Sequence, residues 1–194
     1  MGNEYLTPSG YEVPEINLTT DDHGPSQRVR VDVGQTGFFS GHEFRTFKEL
    51  SIAGSGTYLI RAIVPVNLIL FGLQVAINSG DLKLETFVGG TPTGTFSETL
   101  PILPANNMTD KPLPLYAAQS VLQAVPSSGS LAGGVRIDVV RVKTNAITNQ
   151  AATVGVGPTD ERGVNPGTYY FLLTNLSSVD AIEGVFRARW EERP

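Results

Sequence analysis

Three short stretches of the sequence hold residue types that could carry out acid–base or metal chemistry. Asp160 and Glu161, in "TDERG", would supply paired carboxylates for general acid–base catalysis. Asp21 and His23, in "DDH", offer oxygen and nitrogen ligands for a metal ion. His42, in "SGHEF", is the second of the two imidazoles in the chain. Each of these chemistries requires the side chains to be held in a specific arrangement.

None of these stretches predicts an active site. Glycines and prolines around Asp160 and Glu161 indicate a loop, and consecutive strand residues would in any case point to opposite faces, so we expect these side chains to order the loop through local hydrogen bonds. Adjacent ligands such as "DDH" lack the fixed geometry and supporting contacts of a metal site. His42 has no Ser, Cys or Asp pair at motif spacing, and neither G-x-S-x-G nor a phosphate-binding loop occurs. We therefore predict no enzyme activity, no catalytic residue, no metal site and no cofactor.

Five aromatic residues could instead form a flat platform that binds sugars. Alternation along a strand directs at least one of the adjacent Tyr169 and Tyr170 inwards, and it places Trp190 on the same face as Phe186. Arg187 and Arg189 are predicted to lie on the opposite face of that strand. We therefore expect most of the five to pack in the core, with a sugar platform as the alternative. The five are Tyr58, Tyr116, Tyr169, Tyr170 and Trp190.

Composition narrows the class of protein further. The 14 basic residues are scattered singly through a 194-residue chain of net charge −5, which predicts no nucleic-acid partner. The absence of cysteine excludes disulfides and thiolate chemistry. The longest apolar stretch, "AIVPVNLILFGL", has 12 residues and is broken by Pro65 and Asn67, so it is too short to cross a bilayer, and the N-terminus lacks the pattern of a secretion signal. We therefore predict a soluble protein without a membrane partner.

Strand and turn signals recur from about residue 43 onward. The 21 Gly and 13 Pro disfavour long helices, while β-branched and aromatic residues concentrate in short runs. Alternation changes phase at Val139 and Val140, which predicts a β-bulge there. The "NSG" turn at 78–80 predicts a hairpin between the strands that flank it. Eight strands are predicted in all, at about 44–52, 57–64, 66–77, 81–88, 116–125, 135–142, 167–176 and 181–192.

Unequal connections between these strands favour a two-sheet β-sandwich. The segment 89–114 carries five prolines and predicts a long excursion over the surface. Crossovers of this kind favour a jelly-roll-like sandwich over residues 43–194, and an immunoglobulin-like sandwich is the alternative. The predicted fold class is therefore all-β.

Residues 1–42 predict an extended N-terminal arm rather than a second domain. Pro8, Pro14 and Pro25 interrupt any helix and favour extended backbone. Within the arm, "RVRVDV" alternates over residues 28–33 and predicts a short strand that needs a partner. Such a segment cannot bury enough apolar surface to fold alone, so we expect it to lie against another surface.

The stretch "GQTGFFSGHEFRTFKEL" joins the predicted arm to the sandwich. Its four phenylalanines, Phe38, Phe39, Phe44 and Phe47, either anchor the arm or belong to the core of the first strand. Because the adjacent Phe38 and Phe39 cannot both face one core, at least one must point elsewhere. The predicted partner-binding residues of the arm and hinge are Tyr5, Leu6, Tyr11, Val13, Ile16, Leu18, Val29, Val31, Val33, Phe38, Phe39 and Phe44.

Five blocks of the sequence resemble, in order, a family of small structural proteins of tailed bacteriophage virions. The resemblance covers about residues 34–194. The blocks are "GQTGFFSGHEFRTFKELSI", "PVNLILFGLQVAINSGDLKLETFVGGTPTGTFSETLPI", "VRIDVVRV", "DERGVNPGTYYFLLTNL" and "WEERP".

The resemblance implies a β-sandwich component of the virion without catalytic residues or cofactor. It implies a capsid decoration (cement) protein that binds the major capsid protein, or another virion protein, as a homotrimer. The expected location is the exterior of the capsid, after assembly in the host cytoplasm. A tail- or head-fibre-associated adhesin that recognises host surface glycans is the alternative.

Overall fold

The computed structural model describes residues 18–21, 24–27, 36–107, 116–144, 152–155 and 162–194. The chain divides into two units, residues 1–36 and 37–194. In the first unit, β1 (Leu18–Asp21) and β2 (Gly24–Gln27) form an antiparallel pair in which Leu18 lies opposite Gln27. The predicted strand at 28–33 lies outside the described residues.

The second unit contains two six-stranded antiparallel sheets. Its elements, in chain order with the helix first, are α1 (Thr36–Ser40), β3 (Glu43–Ile52), β4 (Thr57–Val64), β5 (Asn67–Ile77), β6 (Asp81–Val88), β7 (Thr91–Thr93), β8 (Glu98–Thr99), β9 (Leu103–Pro104), β10 (Val121–Val125), β11 (Ser130–Ala132), β12 (Val135–Lys143), β13 (Ala152–Gly155), β14 (Arg162–Val164), β15 (Gly167–Asn175) and β16 (Ile182–Arg193). Sheet I has the order β13-β5-β16-β3-β9, with β14 also paired to β5. Sheet II has the order β12-β6-β15-β4-β10-β8, and β7 pairs with β11 separately.

One hydrophobic core lies between the two sheets. Strand alternation directs Val75 and Phe186 of sheet I, and Ile60 and Leu173 of sheet II, into it, and all four are fully buried. Across the core, the ring centroids of Phe171 and Phe186 lie 5.7 Å apart. The predicted all-β sandwich is therefore confirmed.

The chain changes sheet at each of the first three turns, so the predicted hairpin at 78–80 is wrong. Both flanking strands form, but β5 pairs with β13, β14 and β16, whereas β6 pairs with β12 and β15. Gly80, with a φ of 94°, turns the chain from one sheet to the other. A short turn with a glycine serves either a hairpin or such a crossing, because local turn chemistry does not specify which strands will pair.

The strand order suits the predicted jelly-roll-like arrangement. Strands β3, β4, β5 and β6 alternate between the sheets; β16 then lies between β3 and β5, and β15 lies between β4 and β6. Four strands alternating between two sheets, with the last two strands inserted among them, are what interleaved Greek keys produce. The jelly-roll stays our interpretation of this order.

Local irregularities differ from those expected. The register of β12 against β6 shifts between Arg136 and Asp138, so the bulge lies at Ile137 and not at Val139 and Val140. Only residues 121–125 of the predicted strand 116–125 are extended into the sheet. The one helix among the described residues, α1, has five residues, was not predicted, and is neither long nor apolar enough to cross a membrane.

Two described residues between β6 and β12, Phe96 and Leu131, pack on part of the outer face of sheet II. A second apolar cluster forms there, in which Leu59, Val125 and Tyr170 are buried. The Arg61 guanidinium lies 4.0 Å from the centroid of the Phe96 ring. Phe96, from the predicted surface excursion, thus helps to cover part of this face, while Ile63 and Val121 of the same sheet stay exposed.

Asn175 ties together the chain crossings at one end of the sandwich. Its side chain is 1% exposed. Its Nδ2 donates to the carbonyl oxygens of Ile52 at 3.0 Å and Asp180 at 2.8 Å, and its Oδ1 accepts from the backbone N–H of Ser177 at 2.9 Å. One buried amide thus satisfies backbone groups of the β3–β4 and β15–β16 connections.

We predict that Asn175→Asp lowers the free energy of unfolding by about 2–4 kcal/mol, because a carboxylate would place negative charge against two buried carbonyl oxygens. Chemical denaturation at pH 7 measures the change. Asn78→Asp, at an exposed position of the β5–β6 turn, is the matched control and should change stability by less than about 0.5 kcal/mol. Equal stability of the two variants would show that the buried amide does not hold this end together.

Candidate protein-binding face

The outer face of sheet I concentrates arginine and apolar side chains. On β3, alternation buries Phe44 and Thr46 and leaves Arg45 and Phe47 exposed. On β16, Arg187 is exposed opposite Phe47 and Arg189 is exposed opposite Arg45, and Glu183 and Arg193 are exposed nearer the ends of the strand. The predicted division of β16 into an apolar face and an arginine face is therefore confirmed.

Two further side chains complete this surface. Leu103 of β9 lies opposite Arg45 and is 37% exposed. Phe71 of β5 lies beneath the guanidinium of Arg189, whose central carbon is 5.9 Å from the ring centroid. We call this surface the arginine face; its residues are Arg45, Phe47, Phe71, Leu103, Arg187 and Arg189.

The positive charge of the arginine face is only partly neutralised within the chain. Arg189 donates through Nε to Oε1 of Glu43, a carboxylate that is 2% exposed and therefore fixes the guanidinium in place. Neither Arg45 nor Arg187 forms an ion pair with a described residue. Like charges directly opposite each other in an antiparallel pair are destabilising, so the pairing of Arg45 with Arg189 costs folding energy.

This arrangement can bind a protein surface. Arginine presents a planar set of donors that pairs with carboxylates and backbone carbonyls, and it loses hydration more readily than lysine does. Aromatic residues and arginine are enriched at protein interfaces, where lysine is depleted. Phe47, which is 47% exposed, supplies the apolar area between the guanidinium groups. The arginine face therefore has the composition of a binding surface.

The hinge residues lie beside the same sheet. The Phe38 and Phe39 rings contact each other edge to face, with 5.3 Å between their centroids. Phe38 is half-buried, whereas Phe39 is 63% exposed, so the two side chains differ in their exposure to solvent. The carbonyl of Phe38 accepts from Nδ2 of Asn106 at 3.2 Å. Gly37 approaches Glu191 so closely that a Cβ there would lie 2.2 Å from its carboxyl carbon. Phe39 is therefore the hinge residue that is available to a partner.

The prediction that Phe44 binds a partner is wrong. Its side chain is 3% exposed, and its ring packs against Trp190 at 6.1 Å and Tyr116 at 6.0 Å between centroids. The core-strand alternative holds for this residue because its position in β3 faces inwards. Leu18 lies in β1, and the other predicted arm residues, Tyr5, Leu6, Tyr11, Val13, Ile16, Val29, Val31 and Val33, lie outside the described residues.

The residues considered for chemistry are not assembled into a reactive site in the described part of the chain. His42 packs its ring on Tyr116, with 4.3 Å between centroids. Asp21 is in β1, whereas His23, Asp160 and Glu161 lie outside the described residues. Across the described ranges, no cluster of three or more His, Asp or Glu residues is placed to hold a metal ion.

The aromatic residues considered for a sugar platform are mostly buried. Tyr58, Tyr170 and Trp190 are 2%, 5% and 3% exposed, and Tyr116 and Tyr169 pack partly against the core. The expectation that most of the five would be core residues is confirmed. They do not form an exposed platform.

Sequence reasoning missed the buried carboxylate of Glu192. Its Oε1 accepts from the backbone N–H of Ser120 at 2.9 Å and from Trp190 Nε1 at 3.3 Å. Its Oε2 accepts from the backbone N–H of Gln119 at 2.9 Å and from the Tyr116 hydroxyl at 3.1 Å. The stretch "WEERP" gave no signal for this role, because three of the four donors, Tyr116, Gln119 and Ser120, lie more than 70 residues earlier.

Hydrogen bonding outweighs burial at this carboxylate. Burial alone would raise the pKa of Glu192, but the donors from Gln119, Ser120 and Trp190 hold its pKa below the usual range. The charged form is therefore the one that the fold stabilises. Glu192 thus holds segment 116–120 against β16, and this contact is structural rather than catalytic.

We predict that Glu192→Gln lowers the free energy of unfolding by about 2–3 kcal/mol at pH 7, because an amide nitrogen would replace an acceptor that faces two donors. Because the pKa of Glu192 is lower in the folded than in the unfolded state, its contribution is fully present above the ordinary glutamate pKa. It is lost as the pH falls through the lowered folded value. Denaturation at several pH values should show the gap between wild type and variant closing in acid.

The exposed Glu183→Gln on the same strand is the control and should change stability little at any pH. A gap between wild type and Glu192→Gln that stays constant from neutral to acid pH would contradict the assignment of a stabilising charge to Glu192.

Comparisons with known proteins establish no relationship. No protein-family profile matches the sequence, and no curated protein is significantly similar to it. A mutant VP2 protein of infectious bursal disease virus, in derived T=1 particles, aligns at 15% identity and a TM-score of 0.16 over 94% of this chain and 45% of its own. VP2 in a subviral particle of that virus aligns at 16% identity and a TM-score of 0.16 over 94% and 46%. The chain thus spans less than half the length of these solved chains, and alignments at this TM-score carry no argument about fold or function.

Proposed function

We propose that this chain is a non-enzymatic structural protein of a virus particle. It binds the exterior of the capsid as a decoration (cement) protein, and its partner is the major capsid protein. The arginine face and the N-terminal arm make the attachment, and the protein acts as a homotrimer.

The cross-strand pair of Arg45 and Arg189 carries this proposal. A fold gains nothing from two guanidinium groups directly opposite each other on an exposed sheet, where only one has a buried carboxylate partner. A partner that supplies carboxylates or carbonyls would neutralise the excess charge, and Phe47 and Leu103 would be buried in the same contact. The pair therefore supports a role for this face in binding.

Three further observations support the proposal. The blocks that resemble phage virion proteins span the whole sandwich. Part of the outer face of sheet II is covered by Phe96 and Leu131, whereas Arg45, Phe47, Arg187 and Arg189 are exposed on sheet I. Val135 and Val139 are 68% and 51% exposed on β12, an edge strand of sheet II, and exposed apolar side chains of this kind can be buried against another chain. That edge is a suitable surface for self-association.

The glycan-binding alternative has less support from the described residues. An adhesin needs aromatic rings exposed as a flat platform, whereas Tyr58, Tyr170 and Trp190 are buried. The exposed aromatic residues are Phe39 and Phe47, which lack the hydrogen-bonding tip of Tyr or Trp. Their chemistry suits a protein partner.

We predict that Arg45→Gln separates stability from attachment. Removing one of two opposed like charges should leave the free energy of unfolding unchanged or raise it by up to about 1 kcal/mol. Affinity for virus particles assembled without this protein should fall about tenfold or more, as measured by co-sedimentation. Lys83→Gln, a charge neutralisation on β6 outside both the arginine face and the β12 edge, should bind like wild type. Full binding by Arg45→Gln would remove the arginine face from the attachment.

We predict that the purified protein has the mass of a trimer in dilute solution.

Deleting residues 1–35 should leave the sandwich folded, because its core lies within residues 37–194. The deletion should weaken particle binding by at least about tenfold, since each arm of a trimer adds to avidity. Light scattering and co-sedimentation measure the two results. A strictly monomeric protein would refute the trimer, and undiminished binding by the truncated protein would show that the arm is passive.

A further inference from the structure

A cavity of about 240 Å³ lies between the two sheets, at the end of the sandwich where β14 pairs with β5. Its wall is mostly apolar and comes from both sheets. Leu70 and Trp190 belong to sheet I, and Val64 and Phe171 belong to sheet II. Apolar cavities of this kind stay dry and take apolar guests; an engineered cavity of about 150 Å³ binds benzene. The volume here is therefore enough for a guest larger than benzene.

The cavity is lined by a few polar residues among many apolar ones. At its exposed mouth, Nη1 of Arg162 donates to Oδ2 of Asp138 at 2.7 Å, and both side chains are partly exposed. Ser120 is 3% exposed, and its hydroxyl helps to lower the pKa of the Glu192 carboxyl. Thr86 and Asn165 also contribute to the lining, and most of the remaining wall is apolar. The cavity thus has a mostly apolar interior and a charged mouth.

Arg162 has capacity for a second anion. A guanidinium carries five N–H donors, and Asp138 uses one of them among the described contacts. The side chain is 47% exposed, so its remaining donors are open to a ligand that enters from solvent. A carboxylate at the mouth would bind these donors while an unbranched apolar tail followed the wall towards Trp190.

We propose that this cavity is a binding site for a single medium-chain acyl carboxylate of about eight carbons, with its head group on Arg162 and its tail between the sheets. The inference does not depend on the attachment of the protein to a virus particle, because it rests on the interior of the sandwich and not on the arginine face. A much shorter acid would leave most of the apolar interior unfilled.

The single tryptophan of the chain reports on occupancy. Trp190 lines the cavity, so a bromine atom on a bound tail will quench its fluorescence. We expect 8-bromooctanoate, titrated into the full-length protein at neutral pH, to quench this fluorescence saturably, and octanoate to reverse it by competition. Butanoate should compete at least about tenfold more weakly, because it buries too few methylene groups. Absence of saturable quenching overturns the proposal.

Variants test the two parts of the site separately. Ala188→Leu and Ala62→Leu fill the cavity from opposite walls, and each should abolish quenching while circular dichroism shows an intact fold. Arg162→Gln should weaken 8-bromooctanoate about tenfold and leave competition by octanol unchanged, because octanol has no charge to pair. The exposed Arg193→Gln, outside both the cavity and the arginine face, should bind like wild type. Quenching that persists in both filled variants would place the ligand elsewhere and refute the site.

Discussion

The packing of sheet I against sheet II is the contact on which the rest of this structure depends. Neither sheet can bury its apolar face alone, and each therefore supplies half of one core, with Phe186 on one side and Phe171 and Leu173 on the other. Burial stabilises such side chains by about 2–3 kcal/mol each, which is the dominant favourable contribution in a fold of this kind. Because alternation sends every second residue inwards, the same packing decides which residues lie on the outer faces.

The two outer faces of the sandwich differ in how far other parts of the chain cover them. On sheet II, Phe96 and Leu131 of the long β6–β12 segment cover Tyr170 and create a second apolar cluster. On sheet I, the corresponding positions carry exposed arginines and Phe47. Residues of the β6–β12 segment pack on part of one outer face, whereas the other outer face exposes arginines. The two outer faces of the sandwich are therefore not equivalent. This asymmetry is what gives the proposed attachment a direction.

Buried carboxylates organise the end of the sandwich next to the hinge. Glu43 fixes the guanidinium of Arg189, and Glu192 holds segment 116–120 through backbone donors. Each carboxylate is buried with its hydrogen-bonding partners supplied, which is the condition under which a buried charge is tolerated. The cavity between the sheets lies beside this network, since Trp190 and Ser120 contribute to both. The buried carboxylate network and the cavity therefore share residues of β16 and of segment 116–120.

The sequence by itself determined the strands, because alternation of apolar residues is a local property that the chain carries with it. It correctly placed most strands, the two faces of β16 and the burial of Trp190. Only the tertiary structure decided which strands pair. Turn residues at 78–80 suit a hairpin as well as a crossing between sheets, and the choice depends on partners far along the chain. For the same reason, the arginine face and the role of Glu192 could not be predicted. Arg45 lies opposite Arg189, and Glu192 accepts a hydrogen bond from Ser120. Both contacts join residues more than 70 positions apart, which no local pattern encodes.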